Sequence, residues 1–336
     1  MKPFCFFLLS AVLTAESVPR VGSINYYGLR RIPEDRIQKV LGVSAGDPIP
    51  PSKGALEERL EKIPGVLVAR IEAVCCEGRQ GMLFIGIEEK GAAHFALRTA
   101  PTGEAILPPE IVQLHNNLSR AIEAAARRGS TDEDLTHGHA LMADPDARAI
   151  QQDLVNIAGK HLVQLRDVLR NSSDESQRSI AATLIGYAPD KNVVVADLEY
   201  AVQDPDEDVR ANAMRALNAI AVLAAKQPEL GIQISPTWFV EMLNSIVLSD
   251  RTRATKALIN LTDARPAATL NLIRERALPS LVQMAQWRSL RYALPAFILL
   301  GRAGGLSEDQ IQESWTRGDR AAMVLQVLGA GKKKRH

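Results

Sequence analysis

The chain of 336 residues carries a formal charge of only +1, with 46% hydrophobic and 4% aromatic residues. That balance excludes a disordered chain and lacks the positive field of a dedicated nucleic-acid binder. Few aromatics beside recurrent Ala and Leu favour close-packed helices over an all-β sandwich. Four positive charges sit in the tail, at Lys332, Lys333, Lys334 and Arg335, so the remainder is mildly acidic.

The first residues read as an export signal. Lys2 is followed by an almost wholly apolar run over residues 4–13, and Ala15-Glu16-Ser17 has the small-x-small form of a cleavage site. A run of about ten residues is too short to cross roughly 30 Å of hydrocarbon. The expectation is a signal peptide over residues 1–17 and an exported chain, periplasmic or extracellular, soluble after cleavage. Cys75 and Cys76 would then be the only cysteines left. A disulfide between adjacent residues is strained and rare, and neighbours on a strand face opposite sides. The pair therefore reads as one core and one exposed thiol, with an intermolecular disulfide open in an oxidising compartment.

Residues 18–90 carry mixed signals. An apolar run over residues 21–27 ends at Gly28. Pro33-Glu34-Asp35 opens a helix with Ile37, Val40 and Leu41 on one face. Ser52 caps a second helix with Leu56, Leu60 and Ile63 in its stripe, stopped by Pro64-Gly65. Two strands follow, over residues 66–74 and 82–87, giving the order β-α-α-β-β. Ile24-Asn25-Tyr26-Tyr27-Gly28-Leu29, Glu34, Ile37, Leu41, Gly46-Asp47-Pro48-Ile49 and the later Leu83, Ile85 and Ile87-Glu88-Glu89 resemble a POTRA domain. The resemblance implies a protein-binding module whose sheet edge accepts a strand, with Ile24 and Ile85 as partner-binding positions. No β-barrel sequence follows, so an insertase activity is not carried over.

Residues 91–155 read as a helical connector. Breakers cluster at residues 100–103 and 108–109. A helix is predicted over residues 109–127, a short one opening at Ser130-Thr131-Asp132-Glu133, and another at Asp144-Pro145-Asp146.

Over residues 156–330 the chain repeats. Asp174, Arg178, Ala181, Ala182 and Leu184 recur as Asp206, Arg210, Ala213, Met214 and Ala216. The fullest copy runs from Asp204-Pro205-Asp206-Glu207-Asp208-Val209-Arg210 to Ala213 and Leu217; looser copies place Arg253 and Arg291 in the arginine position. These residues resemble HEAT repeats, which implies paired antiparallel helices stacked into a solenoid. The expected fold is therefore multidomain: a small α+β domain, an all-α HEAT-like solenoid, and a basic tail over residues 331–336.

Catalytic and nucleotide signatures are absent from the sequence. His137-Gly138-His139 lacks a framed third ligand and reads as a solvated loop; Asp204, Asp206 and Asp208 read as a repeat turn, not a calcium loop. No catalytic residue, cofactor or metal is expected. The tail cations Lys332, Lys333, Lys334 and Arg335 are candidates for peripheral contact with a membrane or polyanion. The reading is an exported envelope scaffold or adaptor with protein partners and no nucleic acid. The rival readings are an enzyme of HEAT-like lyase type and a regulatory subunit of an envelope complex.

Overall fold

The structure, a computed structural model, describes residues 19–77, 80–92 and 95–333. The leader over residues 1–17 and the tail residues Lys334 and Arg335 lie outside the described residues, as does part of the hairpin loop after residue 77.

The first layer is a three-stranded sheet backed by two helices. Its elements are β1 (Arg20–Tyr27), α1 (Glu34–Leu41), α2 (Lys53–Glu61), β2 (Val66–Glu77) and β3 (Gln80–Glu89). Strand order is β1-β3-β2, with β1 parallel and β2 antiparallel to the central β3. Ile37, Leu41, Leu56 and Leu60 pack on Val21, Ala69, Ile71, Leu83 and Ile85. The opposite face presents Tyr27, Met82 and Phe84 to the helical part, whose core they join. Burial on both faces explains why β3 is a nearly unbroken apolar run instead of an alternating one. Glu89, at the end of β3, is buried and accepts the N–H groups of Arg30, Arg31 and Ile32 at 2.7–3.0 Å, which fixes the chain leaving β1. Cys75 is disulfide-bonded, which corrects the expected free thiols. The register of β2 breaks between Val74 and Glu77, so strict alternation of faces does not hold there.

The connector is no loose tether. Arg98 N–H donates to the Gln203 carbonyl, Ser173 N–H to that of Gly103, and Leu107 N–H to Gln177 Oε1, all at 2.8–2.9 Å. The breakers at residues 100–109 prevent a helix, yet the strand-like strap they leave is bonded along the helical part.

The helical part comprises α3 (Pro109–Arg127), α4 (Pro145–Asn171), α5 (Glu175–Ile185), α6 (Val195–Ala201), α7 (Glu207–Lys226), α8 (Thr237–Met242), α9 (Leu248–Leu261), α10 (Ala267–Arg276), α11 (Leu278–Ala285), α12 (Leu290–Ala303), α13 (Glu308–Thr316) and α14 (Arg320–Lys333). The short helix expected at Ser130 is replaced by a two-stranded ribbon, β4 (Glu133–Asp134) and β5 (Leu141–Met142), inserted between α3 and α4. Residue 156, where the repeats are expected to begin, lies inside α4, which Asp144 caps through the N–H groups of Asp146 and Ala147 and which kinks at His161 before ending at Asn171. Asp174 and Asp206 cap α5 and α7 in the same way. Helices α5, α7, α9, α12 and α14 touch in succession as one rank, while α6, α8, α10, α11 and α13 pack beside them. Ala213 and Leu217 are buried in α7. Lys332 and Lys333 close α14.

Buried arginines tie the rank together. Arg178 donates from Nη1 to the carbonyls of Ser172 and Ser173 and grips Asp204 bidentately at 2.9 and 3.0 Å. Arg210 repeats the pattern with the carbonyls of Asp204 and Pro205 and the carboxylate of Asp250. The third member is Arg251, whose Nε donates to the Ser245 carbonyl, again six residues back. Arg253 and Arg291, expected in this row, are elsewhere: Arg253 is half-buried two positions off the contact, and Arg291 is exposed beside Tyr292.

Candidate functional site

The sheet edges, expected to dock a partner strand, are largely taken. On β1, Val21 N–H donates to Asp47 O and its carbonyl accepts from Gly46, while Ile49 N–H reaches Pro19 O. The far end of the strand lies on helices: Tyr27 Oη donates to Ile246 O at 2.8 Å, Trp287 Nε1 to Tyr26 O, and Arg288 N–H to Asn25 Oδ1. Gly86 permits this approach, since a Cβ there would meet the Tyr27 ring at 2.7 Å and Ile246 O at 2.8 Å. On β2, Glu61 and Glu57 accept from the outward N–H groups of Ala69 and Ile71. Ile24 is therefore buried in β1 under this cover, and Ile85 lies on the central strand and borders no edge. These covers occupy the donors of Val21, Ala69 and Ile71, which strand addition at those positions would need.

Another site emerges on the helices. A cavity of about 270 Å³ is lined by His115, Leu118, His139, Tyr187, Asn212 and Arg215, among others. Residues from α3, the β4–β5 ribbon, α5 and α7 thus converge. Tyr187 Oη donates to Ala140 O and accepts from Gln151 Nε2, both at 3.0 Å, and Gln151 Oε1 accepts from Met142 N–H. These bonds pin the ribbon over the helices. Burial pushes the Tyr187 phenol up to about 12, so it stays a neutral strut.

Below the ribbon, Lys191 is buried and donates to the carbonyls of Gly186 and Ala188 at 2.8 and 2.7 Å. Its third neighbour is His139 Nδ1 at 3.4 Å. An ammonium has no acceptor, so Nδ1 must accept and the imidazole proton resides on Nε2. Gly138, at φ +73°, lets the ribbon lie this low; a Cβ there would touch Leu223 at 2.8 Å and Lys191 at 3.0 Å. Burial lowers the lysine to about 8. Burial, and then the charges of Lys191 and His137, hold His139 down at about 4. His139 is thus a neutral, half-buried wall of a cavity and not part of a solvated loop, while its neighbour His137 remains exposed near Asp134. His115, also lowered by burial, has a buried Nδ1 without a partner.

Cations extend from the cavity across the rank. Arg215 (α7), Arg253 and Lys256 (α9) and Arg291 (α12) stand on adjacent helices. Burial first, then Arg253, Arg291 and Arg215, lowers the Lys256 ammonium. Arg215 is lowered by burial and then by Arg253, and Arg253 by burial against the pull of Asp208 and Asp250. Glu133 pairs with Arg215 at the ribbon end; Asp208 is exposed in the first turn of α7. Like charges brought this close are unfavourable unless an anion meets them.

Sequence reasoning missed this column although it follows the repeat. Thr183, Arg215 and Lys256 each lie five residues after a ladder arginine, Arg178, Arg210 and Arg251, on the same helix. Among the described residues no group of three metal-ligating side chains converges, and no helix is long and apolar enough to cross a membrane. Neither any family model nor any curated protein sequence matches the chain.

Proposed function

We propose that this chain is an exported envelope scaffold or adaptor, a POTRA-like module joined to HEAT-like repeats, that holds an acidic segment of a protein partner on its helices. The observation that carries this reading is the cation column of Arg215, Arg253, Lys256 and Arg291 running into the His139 cavity. Four cations gathered on one face of a near-neutral molecule select an acidic stretch by complementarity. The cavity supplies apolar wall at Leu118 and Ile122 for a side chain flanking the acids. With Val21, Ala69 and Ile71 on the sheet edges already bonded within the chain, the helical face is the better docking surface.

The rival enzymatic reading would draw on Lys191 and His139. Two of the three Lys191 donors are spent on backbone carbonyls, and an imidazole held near 4 is a weak base at neutral pH. Both features suit a fixed binding wall. The test is crosslinking in intact cells, with wild type beside the Arg253→Glu/Lys256→Glu double variant, followed by titration of a Glu-rich peptide at rising salt. The reading expects the crosslinked partner to be lost in the variant and peptide affinity to fall at least about tenfold, with a steep salt dependence. Equal affinity in both proteins would overturn it. Export is tested by sequencing the mature N-terminus, expected near Val18.

A further inference from the structure

A second cavity, of about 200 Å³, lies where the sheet meets the helices. Arg30, Ile87, Leu97, Arg210, Ser245 and Arg251 contribute to its wall. Arg251 is the third rung of the arginine ladder, and it differs from the other two in one respect. Arg178 and Arg210 each hold a buried carboxylate, Asp204 and Asp250. The chain entering α12 supplies none for Arg251, because residues 287–292 read Trp-Arg-Ser-Leu-Arg-Tyr.

What Arg251 has instead is incomplete. Its Nε donates to Ser245 O, and its guanidinium carbon sits 4.6 Å from the centre of the Tyr27 ring. A ring covers the face of a guanidinium and leaves the in-plane donors unused. Nη1 is buried with no hydrogen-bond partner, in a side chain only 2% exposed. Arg210, on the same wall, has its donors committed to Asp250, Asp204 and Pro205. Arg30, on the same wall, adds a second positive charge that acts on Arg251 against the longer-range pull of Asp250, which makes no direct bond to it. Glu88 also borders the space and has an interaction of its own. An unpaired buried guanidinium is costly, and a charge-assisted bond to an anion is among the stronger ways to relieve it.

We infer that this junction cavity binds a carboxylate, which completes Arg251 as Asp204 and Asp250 complete Arg178 and Arg210. The volume suits a small acid or the end of a peptide. Because the wall is drawn from both the sheet and the helices, the bound acid also fastens the two parts to each other. The inference stands independently of the cation column, which lies on other residues.

The test uses the full mature chain with sodium acetate, neutral acetamide, and sodium chloride at matched ionic strength. Thermal unfolding and tryptophan emission are the readouts, since Trp287 packs 5.7 Å from Tyr27, the ring on Arg251. Acetate is expected to raise the melting temperature and shift emission saturably, while acetamide and chloride do not. Arg251→Gln should abolish the difference, and Arg30→Gln should weaken acetate several-fold. Should Arg251→Gln fail to fold, the exposed Arg30 carries the test alone. N-acetylglycine, a mimic of a chain terminus, separates the two sources: tighter binding than acetate assigns a peptide end, weaker binding a small free acid. Identical responses to acetate, acetamide and chloride would show that the cavity holds only water and overturn the inference. So would an acetate response unchanged in a folded Arg251→Gln or in Arg30→Gln.

Discussion

Arg210 and Asp250, forty residues apart and each at most 2% exposed, are joined by three N–H···O contacts of 2.8–3.2 Å. The pair bolts α7 to α9, and Ser245 Oγ adds a further bond to the carboxylate. Arg210→Ala leaves Asp250 charged and buried without its partner. The expected loss is about 3–5 kcal/mol in chemical denaturation. Arg210→Ala/Asp250→Ala should recover a large part of that loss, whereas additive losses would deny the coupling.

Glu89, which accepts the N–H of Arg30 on the wall of the junction cavity, makes a pH-dependent contribution. Burial alone would raise its carboxyl, but three backbone N–H bonds, from Arg30, Ile32 and Arg31, outweigh it and hold the group below its ordinary 4.5. A carboxylate depressed by folding stabilises above the unfolded value, and that contribution is lost as pH falls through the folded one. Glu89→Ala should cost at least about 1–3 kcal/mol at pH 7, and the difference from wild type should shrink in acid below pH 4.5. A constant difference down to pH 2 would argue against the carboxylate's role.

His139 shares that preference for the deprotonated form, over a higher pH window. Its unfolded imidazole takes a proton near 6.5, while the folded one resists until about 4. Between those values the unfolded chain binds the extra proton, so stability falls as pH drops through the window. His139→Gln should flatten the pH dependence between 6.5 and 4 while leaving the slope below pH 4 intact. Denaturation midpoints at half-unit pH steps measure this directly.

The cation column predicts a trade between stability and binding. Neutralising Lys256 with Met removes repulsion from Arg253, Arg291 and Arg215. The melting temperature should rise at low ionic strength, with the gain fading as salt screens the column. The same variant should bind a Glu-rich peptide less tightly. A destabilised Lys256→Met at low salt would contradict the repulsion.

Local chemistry was readable in the sequence wherever a signal and its effect sit within one turn. Pro109, Ser52 and the Asp144-Pro145 pair start the helices they were expected to start. Distance defeated the rest. Arg253 looks like the ladder residue because it follows Asp250, but the contact depends on reaching a carbonyl six residues back, and Arg251 is the one that does. His139 meets Lys191, fifty-two residues away, a contact that no motif around His137 discloses. Two-residue strands such as β4 carry too little pattern to oppose a capping signal at Ser130. The breakers near Pro101 and Pro108 mark where helices cannot form and are silent on whether the segment is bound.

At the junction Gln283 grips two neighbouring residues, its Oε1 accepting from Gly28 N–H at 2.9 Å and its Nε2 donating to Leu29 O at 2.7 Å. Gly28 and Gln283 are separated by 255 positions along the chain. During synthesis from the N-terminus, the sheet has all its strands long before α11 arrives. Its Tyr27 and Phe84 face must wait uncovered through most of the chain's emergence. A waiting aromatic surface is an aggregation hazard and a natural substrate for holding chaperones. Closure of the molecule is therefore a late event, timed by the delivery of one C-terminal helix.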